Sequence, residues 1–147
     1  MANGAASASA LGSRQSGVRV GDLVMQLASL IAPNQEVEDS AREARDIVAA
    51  LLDAPRHWAI VNSAQVLDST LAQRALAASD RRGNGAPFAY AVGRAAFRTF
   101  TLEVDSRVLI PRSETELLVD IVLRHFRART GGVVVDVGTG SGAIAIA

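Results

Sequence analysis

The sequence predicts an α/β protein: an all-helical N-terminal module, then a β-hairpin, then the opening of a doubly wound parallel sheet. Three observations predict this order. Apolar residues recur at three- and four-residue steps through residues 18–86. Aromatic and β-branched residues alternate in the segment that follows. An apolar run, a glycine-rich turn and a helical pattern then come last, which is how a doubly wound sheet begins.

The periodicity predicts four helical segments in the module, residues 18–86. The first ends at Pro33, because proline cannot continue a helix. Acidic residues crowd the start of the second, where they favour the positive end of the helix dipole. The last runs from about residue 68 to residue 79. No residue of this module suggests catalysis, and we predict packing and surface roles for His57 and Trp58.

Composition and charge exclude several classes of protein. The 147 residues are 49% hydrophobic, which is enough for a packed core, and 15 basic residues balance 15 acidic ones. Proteins that bind nucleic acid through its phosphates usually have a basic excess, so we expect no direct nucleic-acid partner. The chain has no cysteine and 2 histidines, which excludes disulfides and predicts that no metal is bound.

The N-terminal residues 1–17 are mostly small or polar. They lack the charged and apolar regions of a secretory signal peptide, so we predict a disordered tail. No apolar stretch in the sequence reaches the roughly 18–20 residues that a membrane span requires. We therefore expect a cytoplasmic protein with no membrane partner, and we expect it to be a monomer.

Residues 87–112 differ in character from the module. Aromatic and β-branched side chains alternate partially here, as is typical of strands. We predict a β-hairpin linker that turns near residues 98–99. The residues that suggest strands are Phe88, Tyr90, Val92, Phe97, Phe100, Leu102 and Val104. We expect these side chains to form a core, although they would also suit the wall of a ligand pocket.

The third segment, residues 113–147, begins with a helix. Ser113 followed three residues later by Glu116 is a capping-box pattern, which marks a helix start. Residues 133–137 are apolar except for Asp136, and they predict a strand buried on both faces of a parallel sheet. A glycine-rich turn and the start of another helix follow.

The glycine turn, DVGTGSG, spans Asp136 to Gly142 and carries glycine at alternate positions. Such a turn lets a ligand approach the main chain closely, and the helix start behind it offers unpaired N–H groups to an anion. Dinucleotide-binding folds use the spacing G-x-G-x-x-G. The spacing here, G-x-G-x-G, is similar to that of S-adenosylmethionine-dependent methyltransferases. A tight turn that binds no ligand is the third interpretation.

Two motifs together resemble one family. The segment VLIPRSETELLVD, residues 108–120, precedes DVGTGSGAIAIA, residues 136–147. In this order and spacing they closely resemble the release-factor glutamine N(5)-methyltransferases, the HemK/PrmC family. The segment GAPFAYAVG, residues 85–93, also resembles the linker of that family. The family pattern is I-P-R-P-E-T-E, and here Ser113 replaces its second proline. Proline and serine can both start a helix, so we expect the backbone to be unaffected.

The resemblance implies both a fold and a chemistry. It implies a truncated Rossmann-like methyltransferase domain, S-adenosylmethionine as cofactor, and the glutamine of a Gly-Gly-Gln loop in a peptide chain release factor as substrate. The implied cofactor-binding residues are Asp136, Gly138, Thr139, Gly140, Ser141 and Gly142. The implied pocket loop contains Pro111, Arg112, Glu114 and Thr115. No catalytic residue is assigned, because the family's Asn-Pro-Pro-Tyr signature is expected beyond Ala147.

The same resemblance assigns docking of the release factor to residues 18–86. We expect this chain to be an inactive N-terminal fragment of a longer enzyme. Two alternatives stay open: a docking module without activity, and a nicotinamide-dependent oxidoreductase. The sequence after Ala147 would distinguish the enzymes, because an Asn-Pro-Pro-Tyr segment fits the methyltransferase and not the oxidoreductase.

Overall fold

A computed structural model describes residues 17–127 and 131–147 of the chain. The predicted disordered tail lies outside the described residues except for Gly17. The elements are β1 (Val18–Arg19), α1 (Val20–Ile31), α2 (Ser40–Leu52), α3 (Trp58–Val61), β2 (Val66–Leu67), α4 (Ser69–Gly83), α5 (Phe88–Val92), β3 (Arg94–Phe97), β4 (Phe100–Glu103), α6 (Ser113–Phe126) and α7 (Ala143–Ile146). No described helix is long and apolar enough to cross a membrane.

Helices α1, α2 and α4 pack against one another and form the core of the N-terminal module. The helical periodicity is confirmed for α1, because its apolar residues at steps of three and four are fully buried. The buried core comprises Val20, Leu23, Leu27, Ile31, Ala44, Ile47, Val48, Ala59, Leu67, Leu71, Ala72, Ala75, Ala78 and Val92. Helix α4 continues to Gly83, beyond the predicted end at Ser79. Its last turn also packs, since Arg82 is buried.

The module is not all-helical, so that part of the prediction was wrong. Strand β1 pairs antiparallel with β2, with Val18 opposite Leu67. The contact continues beyond the strands, where the Val20 N–H donates to the Gln65 carbonyl oxygen at 2.9 Å. Strands of two residues are too short to show the alternation by which strands are predicted. Their pairing depends on a partner that is distant in sequence.

The C-terminal end of α4 packs closely against α1 and forms an ion pair with α2. A Cβ on Gly83 would lie 2.1 Å from the Leu30 carbonyl oxygen, so the two helix ends touch through their backbones. Arg82 is buried and forms an ion pair with the carboxylate of Glu43 in α2. Asn34, also buried, donates from Nδ2 to the Arg82 carbonyl oxygen at 2.8 Å. The Arg82 guanidinium also donates from Nη1 to the Ala86 carbonyl oxygen at 3.1 Å, and this hydrogen bond offsets part of the desolvation of its charge.

Strands β3 and β4 form the predicted hairpin, and its turn at residues 98–99 is confirmed. The strand prediction was wrong for Phe88, Tyr90 and Val92, which lie in helix α5. Phe88 and Val92 are four residues apart, so the helix directs both against the core of the N-terminal module. Gly93 then ends α5 with a φ of 76°, a left-handed conformation that favours glycine.

A second core joins the hairpin to helices α6 and α7. Its buried side chains are Ala95, Phe97, Leu102, Val104, Val119 and Ala143. The rings of Phe97 and Phe100 lie 5.8 Å apart in a tilted arrangement, which stabilises aromatic pairs beyond the effect of burial. These hairpin aromatics therefore pack in a core, as the sequence predicted.

The predicted buried strand at residues 133–137 is not formed. Residues 131–136 have no regular secondary structure, and the four valines of the segment are 59% to 89% exposed. A strand forms by hydrogen bonding to a neighbour, and neither two-stranded sheet of the described residues pairs with this segment. The first strand of the predicted parallel sheet is therefore absent from the described residues, and the Rossmann-like domain stays a prediction.

Candidate functional site

The glycine turn, Asp136 to Gly142, connects the irregular residues before it to the short helix α7. Its glycines, Gly138, Gly140 and Gly142, all have positive φ, at 77°, 55° and 79°. Side chains other than that of glycine rarely adopt this left-handed region. The backbone conformation therefore favours glycine at each of the alternating positions.

The turn leaves open space beside two of its glycines. A Cβ on Gly138 would meet no atom within 4 Å, and a Cβ on Gly140 would meet the Gly138 carbonyl oxygen at 3.9 Å. Gly138, Thr139 and Gly140 are exposed, while Ser141 and Gly142 are half-buried. A ligand can therefore approach the main chain at the first two glycines without displacing other parts of the protein.

Asp136 holds the turn closed. Its Oδ2 accepts a hydrogen bond from the Thr139 hydroxyl at 2.7 Å, and the Gly142 N–H donates to the Thr139 carbonyl oxygen at 2.8 Å. A short carboxylate side chain that bonds a nearby residue favours turns over regular secondary structure. Asp136 thus stabilises the conformation in which the glycines lie.

A crevice of about 270 Å³ lies between the middle of helix α6 and the two segments that flank the glycines, namely the residues before them and helix α7. Its lining is mostly apolar, and Asp136 supplies a polar group. The other lining residues are Val119, Val122, Leu123, Val134, Ile144, Ala145 and Ala147. Mostly apolar, concave surfaces with a few polar groups are typical of small-molecule sites.

The predicted pocket loop lies at the start of helix α6. Arg112 precedes the helix, Glu114 and Thr115 lie in its first turn, and the Thr115 N–H donates to the Arg112 carbonyl oxygen at 3.0 Å. Arg112 and Glu114 are exposed, while Pro111 and Thr115 are half-buried. Among the described residues, no hydrogen bond or ion pair joins this loop to the glycine turn. The middle of α6 instead faces residues that flank the glycines, such as Asp136 before them and Ile144 after them.

The capping box predicted for Ser113 and Glu116 is not formed. Ser113 is the first residue of α6, and no side chain caps the helix. Glu116 has a different partner, because its Oε1 accepts a hydrogen bond from the backbone N–H of Arg98 at 2.8 Å. The pattern correctly predicted where the helix starts, and it was wrong about the hydrogen bonds.

Replacing Ser113 tests this helix start. Ser113→Pro should change the free energy of unfolding by less than about 0.5 kcal/mol, because proline suits the first helical position. Arg112 already has the extended conformation, φ −106° and ψ 151°, that a following proline requires. Ser113→Ala should also be nearly neutral. Urea unfolding followed by circular dichroism measures both changes, and a loss of about 1 kcal/mol for alanine would indicate a capping serine after all.

Arg98, at the tip of the hairpin, forms a contact with helix α6 that the sequence did not predict. Its φ is 53°, and its guanidinium donates to Asp120 Oδ1 in α6 at 2.5 Å. The hydrogen bond from Arg98 lowers the pKa of the Asp120 carboxyl below its usual range. An arginine in a hairpin turn belongs to no motif, so only the folded chain reveals its partner.

A larger groove, of about 1030 Å³, lies between the N-terminal module and the hairpin. Its charged lining residues are Arg74, Arg94, Glu103, Asp105 and Arg107. Asp105 and Arg107 pair with each other at 2.5 Å, and hydrogen bonds from Arg107 lower the pKa of Asp105 to about 2. The groove is thus a charged surface next to the helical module.

Comparisons with known proteins agree with one another. A family model described as the PrmC N-terminal domain matches residues 22–93. The release factor glutamine methyltransferase of Xylella fastidiosa is 36% identical over 121 residues, which cover 82% of this chain and 43% of that protein. The protein of the same name from Burkholderia pseudomallei is 39% identical over 106 residues, which cover 72% of this chain and 37% of that protein. The one from Gloeobacter violaceus is 51% identical over 61 residues, which cover 42% of this chain and 21% of that protein. The chain spans less than half the length of these relatives.

Proposed function

We propose a function from the premise that this chain belongs to the release factor glutamine methyltransferase family, whose N-terminal portion it spans. The proposed activity of the full-length enzyme is transfer of a methyl group from S-adenosylmethionine to the glutamine amide of a Gly-Gly-Gln loop in a peptide chain release factor. The observation that carries this proposal is the glycine turn. It has three positive φ angles, is closed by Asp136, and is open to a ligand beside Gly138 and Gly140.

The residues of the turn fit the proposed cofactor. S-adenosylmethionine, when bound, supplies a methyl group that is activated by a sulfonium. We assign contact with the cofactor to the bare main chain and hydroxyl groups of residues 138–142, and maintenance of the turn to Asp136. The mostly apolar crevice lined by Asp136 and by helix α7, which flank the glycines, supports this assignment. We assign a covering role over the pocket to residues 111–115.

Methylation of an amide makes positioning the main task of the protein. The amide nitrogen is a poor nucleophile, because its lone pair is delocalised into the carbonyl group. The enzyme must therefore hold that nitrogen in line with the methyl group. In this chain, the glycine turn binds the cofactor that supplies the methyl group. The family resemblance assigns binding of the substrate glutamine to an Asn-Pro-Pro-Tyr segment.

We assign capture of the release factor to the helical module, residues 18–86. The charged groove between this module and the hairpin supports the assignment, because a protein substrate presents polar and charged groups that such a surface can bind. Arg74 and Glu103 in the groove have no ion-pair partner among the described residues, so both are available to a protein partner. We further propose that the enzyme acts as a monomer in the cytoplasm, on protein and not on nucleic acid or membranes.

The test uses a full-length enzyme that carries this sequence as its N-terminal portion. After incubation with S-adenosylmethionine and a release factor, mass spectrometry should detect one added methyl group on the glutamine of the Gly-Gly-Gln peptide. A release factor with alanine in place of that glutamine is the control. Methylation of another residue type would overturn the proposed substrate. Binding of a nicotinamide cofactor without methyl transfer would favour an oxidoreductase instead.

A further inference from the structure

Two residues other than glycine have positive φ in the described part of the chain, Asp53 at 55° and Arg98 at 53°. Such strained conformations persist where surrounding contacts hold them. Each of the two forms an ion pair with another element, Asp53 with Arg94 and Arg98 with Asp120. These ion pairs lie at opposite ends of the hairpin formed by β3 and β4.

The base contact joins the hairpin to helix α2. Arg94, the first residue of β3, donates from Nη1 to the Ala50 carbonyl oxygen at 2.8 Å, and its Nη2 lies 3.2 Å from Asp53 Oδ1. Asp53 ends α2, where the last carbonyl groups lack helical partners. One guanidinium therefore binds both the Ala50 carbonyl oxygen, which also accepts from the Asp53 N–H at 3.3 Å, and the residue that caps the helix.

The tip contact joins the hairpin to helix α6. The Arg98 backbone N–H binds Glu116 Oε1 at 2.8 Å, while its guanidinium binds Asp120 Oδ1 at 2.5 Å. Glu116 and Asp120 are four residues apart and so lie on the same face of the helix. Because main chain and side chain of one residue both bind this face, the orientation of the turn relative to α6 is specified.

The hairpin between these contacts is short and fully paired. Four residue pairs join its strands, from Arg94 opposite Glu103 to Phe97 opposite Phe100. Its length is roughly 10–13 Å at about 3.3 Å per residue. One side of the ribbon packs in the second core. The pairing of its strands and the packing of one side fix the length of the ribbon, so contacts at both ends help to determine how far α2 lies from α6.

We propose that Arg94 and Arg98 are positioning residues, which together hold the hairpin as a spacer of fixed length between the helical module and helix α6. In the full-length enzyme this spacer determines where a release factor docked on the module presents its glutamine, a consequence that rests on the proposed function. Loss of one contact leaves that end of the hairpin held by apolar packing and chain connection without its specific polar contact, so the spacing is no longer fixed. Loss of either contact should therefore have the same effect as loss of both.

The first experiment measures the spacer itself in this chain. The chain has no cysteine, so Met25→Cys in α1 and Leu118→Cys in α6, at positions 67% and 48% exposed, provide two sites for spin labels. The distribution of label distances should be narrow in the parent and broader in Arg94→Gln and Arg98→Gln. Arg107→Gln is the matched control, because its ion pair with Asp105 joins neighbouring residues of one loop. Unchanged distributions in both variants would overturn the proposal.

The second experiment measures catalysis by the full-length enzyme. Each glutamine variant should raise the KM for an intact release factor by about fivefold or more. For Arg98→Gln, which lies outside the charged groove, the kcat and KM for a short Gly-Gly-Gln peptide should stay unchanged, because the peptide does not use the docking module. The double variant should match the single variants. Arg94→Lys and Arg98→Lys keep the positive charge and should recover part of the lost affinity.

The two experiments separate the spacer from the proposed activity. Equal losses with peptide and intact release factor, or additive losses in the double variant, would indicate general destabilisation and overturn the positioning role. If the parent enzyme methylates neither substrate, the proposed function fails. The label distances still test the spacer in that case, because they depend on no activity.

Discussion

Gly140→Val should abolish methyl transfer by a full-length enzyme that carries this sequence, with a loss in kcat/KM of about a hundredfold or more. Gly140 has a φ of 55°, a conformation that β-branched residues almost never adopt. Valine therefore forces the turn out of shape. It also places a branched side chain on the open side of the turn, where we propose that the cofactor meets the main chain.

Two other substitutions separate backbone strain from added bulk. Gly140→Asn adds a side chain of similar size, but asparagine tolerates the left-handed region, so it should retain more cofactor binding than valine does. Ala96→Val adds the same branched group at an exposed position of β3 and should behave like the parent. Titration calorimetry with S-adenosylmethionine measures binding in each variant. Undiminished binding by Gly140→Val would contradict the assignment of the cofactor to this turn.

Gly83→Ala should lower the free energy of unfolding of the helical module by about 3 kcal/mol. The added Cβ would lie 2.1 Å from the carbonyl oxygen of Leu30 and 3.1 Å from its carbonyl carbon. Both atoms belong to the backbone of α1, so no side-chain rotation can relieve the overlap. The ends of α1 and α4 must separate, which also loosens the buried ion pair of Arg82 with Glu43.

Gly21→Ala is the matched control for Gly83→Ala, because both glycines lie in helices. Its Cβ would lie 3.3 Å from the Ser63 carbonyl oxygen, which requires a shift of a few tenths of an ångström. Alanine also favours helix over glycine by about 1 kcal/mol, so the net change should be small. Urea unfolding monitored by circular dichroism compares the two variants. Equal stabilities would mean that the ends of α1 and α4 are not in backbone contact.

The sequence by itself determined the features whose causes are local. Apolar residues at helical spacing predicted α1, because a one-sided apolar face defines the surface that a helix buries. The turn of the hairpin at residues 98–99 was also predictable from the strand-like residues on both sides. In the candidate site, alternating glycines predicted a turn with a bare main chain, and the structure adds that Gly138, Gly140 and Gly142 all have positive φ. The contacts of these glycines with a cofactor stay a prediction.

Only the tertiary structure decided which partner each segment binds. Phe88 and Val92 have strand-forming side chains, yet they lie in α5, where their spacing directs both to the core of the module. Glu116 binds the N–H of Arg98 in place of its own helix start. The valines of residues 133–137 stay exposed, because no described strand pairs with them. Local preferences differ by about 1 kcal/mol or less, so a core or a hydrogen-bond donor that is distant in sequence outweighs them.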